Sequence, residues 1–318
     1  MRLDRLLLAC LMLLVLGAAA QAAPAGDSPA AAPAAKASEA QPPVKLTPLD
    51  EAMKDPNHKT GYVKKAVKMA DGPERIYQVF VPLDYTADKK WPVILFLHGA
   101  GECGTDGQKV LIQGLPKEIT KREGKFEFIV VAPQCERVTI SKPPEGEKAD
   151  PGKPRLKGGW NDTQEQMAMD ALKATLGEYA CDKDRVYLTG LSMGGYGTWG
   201  FAAKYPGQFA AIVPICGGGD PAKADALKTI PTWVWHGADD GTVAPARSRD
   251  MVTALLKAGA TELRYTEVPK VGHNSWDNTY DGNAVFDWLL RHKVSDLGKQ
   301  TSAKAVIDAP SWADAPKP

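Results

Sequence analysis

The sequence predicts an α/β fold of three layers, with a mostly parallel central sheet and helices on both faces. Short, largely apolar segments recur from position 93 onward, which is how strands read when both faces of a parallel sheet are buried. Segments compatible with helices lie between most of them. This alternation of strand and helix is typical of parallel α/β sheets.

The elements are predicted in the following order. An antiparallel hairpin comes first, with half-exposed strands at 62–69 and 75–81. The core strands are predicted at 93–97, 128–132, 186–189, 211–215, 232–235 and 263–268. The helices are predicted at 162–176, 193–205, 221–228, 246–258 and 284–291. Ligands of such sheets bind beyond the carboxyl ends of the strands, so functional residues are expected in the loops that follow the strands.

Length and charge narrow the function classes. The chain has 318 residues, of which 44% are hydrophobic, so it can bury a sizeable core and is near the upper size of a single domain. Its formal net charge is +1. No electrostatic field therefore favours a nucleic-acid partner or an anionic membrane.

The two ends of the chain differ in composition from its middle. Residues 1–22 combine basic residues, a short apolar run and small residues, which predicts a cleavable signal peptide and a secreted or periplasmic protein with no membrane span. A lipoprotein signal through Cys10 is disfavoured, because this cysteine lies inside the apolar run. Residues 23–45 are Ala- and Pro-rich and predict a disordered linker. The folded domain is expected over 46–297, followed by a flexible tail over 298–318.

The segment VYLTGLSMGGYGTWGF, at 186–201, is the strongest functional signal. It reads as strand, sharp turn and helix, with Ser192 on the turn between Gly190 and Gly194. Such a turn lifts a serine hydroxyl clear of the backbone, and the glycines let strand and helix approach closely. The G-x-S-x-G spacing alone is a weak pattern, but the strand before it and Gly195 after it predict a nucleophile at Ser192.

Two later loops supply a candidate acid and a candidate base. Asp239 and Asp240 follow the strand at 232–235, and we choose Asp240 because Gly241 frees the loop there to turn toward the base. His273 follows the last core strand beside a glycine. The order serine, aspartate, histidine is that of a nucleophile, acid and base triad on an α/β sheet. His98 and His236 each end a strand before a glycine and are interpreted as structural.

A glycine-rich loop follows the strand at 93–97. Fixed backbone N–H groups stabilise the oxyanion of acyl transfer, and we predict the amides of Ala100 and Met193 for this purpose. Glu102 in the same loop either orients substrate or bonds the loop backbone. Trp160 and Trp276 are tentative substrate contacts, since aromatic faces stack on sugar or phenolic rings, although tryptophan is more often a core residue.

No metal-ligand spacing and no phosphate-binding glycine motif is present in the sequence, so neither a metal nor a cofactor is implied. Four cysteines, Cys103, Cys135, Cys181 and Cys216, remain after signal removal. In an exported protein they can form disulfides, and the first pair to test is Cys103 with Cys135, which follow strands expected to be neighbours. Unbridged thiols are the alternative.

Six blocks carry a resemblance to a known group of proteins. In chain order they are LFLHGAGE, VAPQC, DRVYLTGLSMGGYGTW, VPICGGGDP, WHGADDGTV and VGHNSW. The chain resembles the α/β-hydrolase superfamily, and within it secreted esterases related to feruloyl esterases and phospholipase/carboxylesterases, some of them labelled predicted peptidases of the prolyl-oligopeptidase type. The resemblance covers about 75–291, implies the α/β-hydrolase fold, and places the acid on Asp240 through the pattern H-G-x-x-D-x-x-V.

Two features depart from that pattern. Relatives often carry an arginine where this chain has Cys103, and the segment 136–159 is longer than usual, either as a lid or as a surface loop. The resemblance implies an exported serine hydrolase that cleaves carboxylic esters through an acyl-enzyme, on acylated polysaccharide or small esters. A serine peptidase of the prolyl-oligopeptidase type and a non-catalytic carbohydrate-binding protein on a hydrolase scaffold are the alternatives.

Overall fold

The computed structural model describes residues 47–69, 72–136, 138–139, 156–157, 159–299 and 304–315. All of them fall within one unit, Lys45–Pro318. Its strands are β1 (Gly61–Lys68), β2 (Glu74–Val81), β3 (Trp91–Leu97), β4 (Ile129–Pro133), β5 (Val138–Thr139), β6 (Leu156–Lys157), β7 (Cys181–Leu191), β8 (Ala211–Ile215), β9 (Thr232–Gly237), β10 (Glu262–Val268) and β11 (Lys304–Asp308).

Nine of these strands form one sheet in the order β1-β2-β4-β3-β7-β8-β9-β10-β11, and β5 pairs with β6 separately. The first two are an antiparallel hairpin in which Gly61 faces Val81, and β2 is antiparallel to β4. From β4 to β11 all neighbouring strands are parallel. The mostly parallel sheet and the opening hairpin are therefore as the sequence predicts, and the carboxyl ends of the parallel strands meet at one edge.

The helices are α1 (Pro48–Ala52), α2 (Gly114–Lys121), α3 (Asp162–Glu178), α4 (Met193–Lys204), α5 (Ala224–Leu227), α6 (Ala246–Lys257), α7 (Trp276–Tyr280) and α8 (Ala284–Leu289). Short 3₁₀ turns lie at Ala100–Glu102, Lys109–Leu111, Pro221–Lys223 and Val294–Asp296. The longest helix, α3, begins after Asn161, whose side chain accepts a hydrogen bond from the Gln164 amide, as a good N-cap does.

Two hydrophobic clusters cover the two faces of the sheet. In β3, Val93, Leu95 and Leu97 belong to one cluster and Ile94 and Phe96 to the other, as expected when successive side chains of a strand point to opposite faces. Helices α3, α4 and α6 contribute to the first cluster, and α2, α7 and α8 to the second. The α/β-hydrolase fold predicted from the sequence, with helices on both faces, is thus observed.

The C-terminal stretch differs from the flexible tail expected over 298–318. Within it, Lys304–Asp308 form β11, which pairs in parallel with β10. The ring of Trp312 then lies 5.8 Å from that of Tyr265, and the guanidinium of Arg249 lies 5.7 Å from the Trp312 ring. The sequence did not reveal the strand because pairing at a sheet edge relies on backbone hydrogen bonds. Such bonds can form with many different side chains, so no clear sequence pattern marks the strand.

Several expectations fall outside the described residues. These are the signal peptide over 1–22, the linker over 23–45 and most of the long segment over 136–159. Within the described ranges, every helix is too short or too polar to cross a membrane.

Candidate active site

Ser192 occupies a strained position between β7 and α4. Its backbone φ of 54° and ψ of −115° lie outside the regions that residues other than glycine normally adopt. Such a conformation costs on the order of 1–3 kcal/mol. Neighbouring backbone maintains this turn, because the Ser192 amide donates to the Ile215 carbonyl at 2.9 Å. A Cβ at Gly194 would collide with the carbonyl oxygen of Leu97, so only glycine lets α4 begin against the end of β3.

The three residues proposed from the sequence as nucleophile, base and acid come together at the carboxyl edge of the sheet. His273 Nε2 lies 2.9 Å from Ser192 Oγ, and His273 Nδ1 lies 2.8 Å from Asp240 Oδ2. An ionised carboxylate only accepts hydrogen bonds, so Nδ1 carries the proton and Nε2 offers a lone pair to the serine hydroxyl. Such a chain can move the proton of Ser192 to His273.

The carboxylate of Asp240 is buried and well supplied with donors. Its Oδ1 accepts the amides of Thr242 at 2.8 Å and Val243 at 2.9 Å. Burial alone would raise the pKa of Asp240, but the hydrogen bonds from His273 and from these two amides outweigh it and hold the pKa below its usual value. Asp239, by contrast, is exposed.

His236 also reaches this carboxylate. Its Nε2 lies 2.9 Å from the Val243 carbonyl and 3.2 Å from Asp240 Oδ2, while its Nδ1 lies 2.7 Å from Ser248 Oγ. Burial lowers the pKa of His236, so the ring is neutral and its Nε2–H serves Val243 and Asp240. The sequence interpretation of His236 as structural missed this contact, since H-G after a strand does not reveal which way the ring faces.

The glycine-rich loop that follows β3 lies against the start of α4. A Cβ at Gly99 would lie 2.7 Å from Leu191 Cδ1, so the loop and the turn that carries Ser192 are in close contact. Ala100 is the first residue of a 3₁₀ turn and Met193 the first residue of α4. Because Met193 opens an α-helix, its N–H has no acceptor within that helix. The role of the Ala100 and Met193 amides as oxyanion donors stays a prediction.

His98 fastens this loop to the end of β4. Its Nε2 accepts the Cys135 amide at 3.0 Å, so its Nδ1–H donates to the Gly99 carbonyl at 2.6 Å. Complete burial lowers the pKa of His98 to about 4, which keeps the ring neutral and this pattern intact. The Gly104 amide also donates to the Cys135 carbonyl at 3.0 Å. These bonds agree with the expected loop-shaping histidine.

Cysteines lie close to His98 and to His273. Cys103 Sγ and Cys135 Sγ are 3.6 Å apart and not bridged, and with His98 they bring three donor atoms within 4.8 Å of one another. Cys216, Asp240 and His273 form a second such group. The sequence did not anticipate either group, because their members lie far apart in the chain. Both ring nitrogens of each histidine are engaged in the bonds described above.

The tentative substrate contacts lie in different surroundings. Trp160 is buried, donates its Nε1–H to the His98 carbonyl at 3.2 Å and lines a cavity with Ser192. Trp276 is half-buried, with its ring 5.4 Å from the His273 ring and edge-on to it. Glu102 is buried with one carboxylate oxygen 3.0 Å from the Cβ position of Gly99, and burial raises its pKa. It thus folds onto its own loop.

The cavity beside Ser192 has a volume of about 450 Å³. Its lining residues are Gly159, Trp160, Ser192, Met193, Tyr196, Gly197 and Gly200. Tyr196 is 42% exposed, although it is a large aromatic side chain. Sequence reasoning missed it, even though its position one helical turn after Ser192 was a usable signal.

The match to a known family covers most of the chain. Residues 71–277 match the model of the Esterase family, described as "Putative esterase". The chain belongs to this esterase family. The matched region of the chain contains Ser192, Asp240 and His273.

Curated relatives of the chain match over shorter stretches. Poly(3-hydroxyalkanoate) depolymerase C of Paucimonas lemoignei is 32% identical over 119 residues, which cover 27% of this chain and 28% of the depolymerase. Poly(3-hydroxyoctanoate) depolymerase of Pseudomonas fluorescens is 36% identical over 120 residues, which cover 34% of this chain and 41% of that protein. The chain therefore matches less than half the length of either depolymerase.

Solved structures show the same fold. A thermostable esterase is 33% identical with a TM-score of 0.62, over 73% of this chain and 63% of that one. A feruloyl esterase module from Clostridium thermocellum, solved with sinapinate, is 15% identical with a TM-score of 0.53, over 76% of this chain and 89% of that one. At that identity the second likeness concerns the fold alone.

Proposed function

We propose that this protein is an exported serine hydrolase that cleaves carboxylic esters through an acyl-enzyme. The observation that carries the proposal is the chain of contacts Ser192 Oγ to His273 Nε2, at 2.9 Å, and His273 Nδ1 to Asp240 Oδ2, at 2.8 Å. Membership in the esterase family supports ester hydrolysis as the reaction. Acylated polysaccharides and small esters are the proposed substrates.

The first half of the reaction forms the acyl-enzyme. His273 Nε2 takes the proton of Ser192 as its Oγ attacks the ester carbonyl carbon. Asp240 keeps the proton on Nδ1 and stabilises the imidazolium that forms, aided by its low pKa. The imidazolium then protonates the leaving alcohol, and the acyl group stays on Ser192.

The amides of Ala100 and Met193 are the proposed oxyanion donors. Ala100 begins a 3₁₀ turn and Met193 begins α4, both at the carboxyl edge of the sheet. Loss of one such donor typically costs on the order of 10²–10³ in rate. In the second half of the reaction, water attacks the acyl-enzyme with His273 as the base, and the acid product leaves.

The proposal is tested with Ser192→Ala on p-nitrophenyl acetate. Alanine keeps the Cβ and the backbone strain, so the melting temperature should stay near that of the wild type while kcat falls at least about 10⁴-fold. A fluorophosphonate probe should label the wild type and not the variant. Residual activity within tenfold of the wild type would assign the chemistry elsewhere.

The same assay separates the competing functions. A peptidase would cleave a peptide anilide with a higher kcat/KM than p-nitrophenyl acetate, and we expect the reverse. A non-catalytic binding protein would neither turn over nor react with the probe. Export is tested separately by N-terminal sequencing of the mature protein, which should begin near residue 23.

A further inference from the structure

Helix α4 contains four glycines, and three of them have a packing reason. A Cβ at Gly194 or Gly195 would collide with the backbone of a neighbouring strand end, at Leu97 and Ile215 respectively. A Cβ at Gly197 would lie 2.8 Å from Trp160 Cδ1. In each case the absent side chain lets another group approach the helix.

Gly200 has no such reason. It is exposed, and nothing lies within 4 Å of its Cβ position. A glycine in a helix interior costs about 1 kcal/mol relative to alanine, so this position lowers stability without any packing gain within the described residues. An unoccupied surface next to a helix backbone is where a ligand can approach closely.

Two cavities meet at this glycine. The first, beside Ser192, is the 450 Å³ cavity described above, and the second has a volume of about 520 Å³. Tyr196 and Gly200, one helical turn apart, line both. With a side chain at Tyr196 and none at Gly200, the passage from one cavity to the other runs over Gly200.

The inner wall of the second cavity is apolar. Trp199, Leu227 and Met251, all buried, line it together with Ala203. Its wall is closely packed, since a Cβ at Gly219 would lie 2.9 Å from both Met251 Sδ and Trp199 Cβ.

Charged residues of both signs stand at the rim of this cavity. Lys204 is paired with Glu165 at 2.7 Å and with Asp162 at 3.2 Å, and Lys223 and Asp220 carry opposite charges. An uncharged apolar group fits such a cavity best.

We propose that the second cavity is a subsite for the distal apolar part of an elongated ester. The reacting carbonyl of the substrate lies at Ser192. The rest of the substrate crosses α4 over Gly200 and reaches Trp199, Leu227 and Met251. Gly200 lies eight positions after Ser192, so the distal part of the substrate must reach about 12 Å along the helix. The substrate class is then an ester with a long alkyl or arylalkyl group. This inference rests on the proposed function.

The test is Gly200→Leu, which fills the passage without touching the triad. Leucine favours the helix and meets open space, so the variant should fold. Gly177→Leu on α3 is the matched control, because Gly177 is also exposed, helical and free of contacts at its Cβ position. Each protein is assayed on p-nitrophenyl acetate and dodecanoate, for a long acyl group, and on ethyl and dodecyl acetate, for a long alcohol.

In at least one of the two series, the ratio of kcat/KM for the long ester to that for the short one should fall about tenfold or more in Gly200→Leu. Gly177→Leu should keep the wild-type ratio. Unchanged ratios in both series, or equal losses in both variants, would overturn the subsite. Failure of the proposed function looks different, because the wild type would then hydrolyse no ester in a Ser192-dependent way.

Discussion

The imidazole of His236 stands behind the carboxylate of Asp240, with Nε2 3.2 Å from Oδ2. Oδ2 therefore faces two histidines, since His273 Nδ1 lies 2.8 Å from the same atom. His236 is fully buried and neutral, so its N–H adds a hydrogen bond to the carboxylate without adding a positive charge. We infer that His236 positions Asp240 for its interaction with His273.

Replacing His236 tests that positioning role. His236→Phe removes a donor to Asp240, so the carboxylate becomes more basic and binds the protonated His273 ring more strongly. The acid limb of the kcat/KM profile, which reports protonation of the base, should therefore move to higher pH. A hydrogen bond to a charged group is worth about 1.5–3 kcal/mol, which corresponds to a loss of roughly tenfold to a hundredfold in kcat/KM. His236→Gln keeps an N–H donor and should restore part of both effects. A residue that only fills space would lower stability and leave the pH profile unmoved.

The two adjacent aspartates give a matched pair for the acid. Asp240→Asn replaces the buried acceptor of the His273 Nδ1–H, so the imidazole loses its fixed tautomer and kcat should fall on the order of 10³–10⁴-fold. Asp239→Asn changes an exposed neighbour and should leave kcat within about twofold. Steady-state kinetics on p-nitrophenyl acetate measure both. Similar losses in the two variants would show that loop structure, rather than the buried carboxylate, matters.

The burial of His98 predicts a loss of stability on mild acidification. Its pKa is lowered from 6.5 to about 4, so between these values the unfolded chain binds a proton that the folded protein does not. Stability is therefore full above pH 6.5 and falls as pH drops toward 4, by about 3 kcal/mol from this residue. The lowered pKa of His236 acts in the same direction.

Urea unfolding at pH 7.5 and 4.5 measures this dependence. His98→Gln should be less stable at pH 7.5 but should lose less of its remaining stability at pH 4.5 than the wild type does. Equal losses in the two proteins would contradict the assignment of the pH dependence to His98.

Together with the proposed export, the contact of Cys103 with Cys135 predicts one disulfide. Their Sγ atoms, 3.6 Å apart, need to approach to about 2.05 Å for the bond to form. The hydrogen bond with Cys103 and burial raise the pKa of Cys135, so the folded thiols should oxidise slowly. We expect the bond to form by exchange with a protein disulfide carrier during export.

Differential alkylation with mass spectrometry measures the outcome. Protein isolated from the compartment that receives it after export should contain a disulfide between Cys103 and Cys135. Cys181 and Cys216, at opposite edges of the sheet, should react with the alkylating reagent after unfolding. Four alkylatable thiols in that material would contradict the prediction.

The sequence by itself predicted eight of the nine strands of the sheet, most of the helices, and the candidate residues Ser192, Asp240 and His273. Apolar runs such as 93–97 and 211–215 predict buried strands, and Ser192, Asp240 and His273 each follow a strand. Parallel strands end at a common edge, so chain order was enough to expect these residues together.

Only the tertiary structure decided which contacts they make. That His236 faces Asp240, that β11 joins the sheet and that two cavities meet at Gly200 depend on how distant segments pack against one another. Local sequence patterns encode the direction of a strand or helix, but not the rotation of a side chain at its end or the space left between elements. Those follow from close packing of the whole domain.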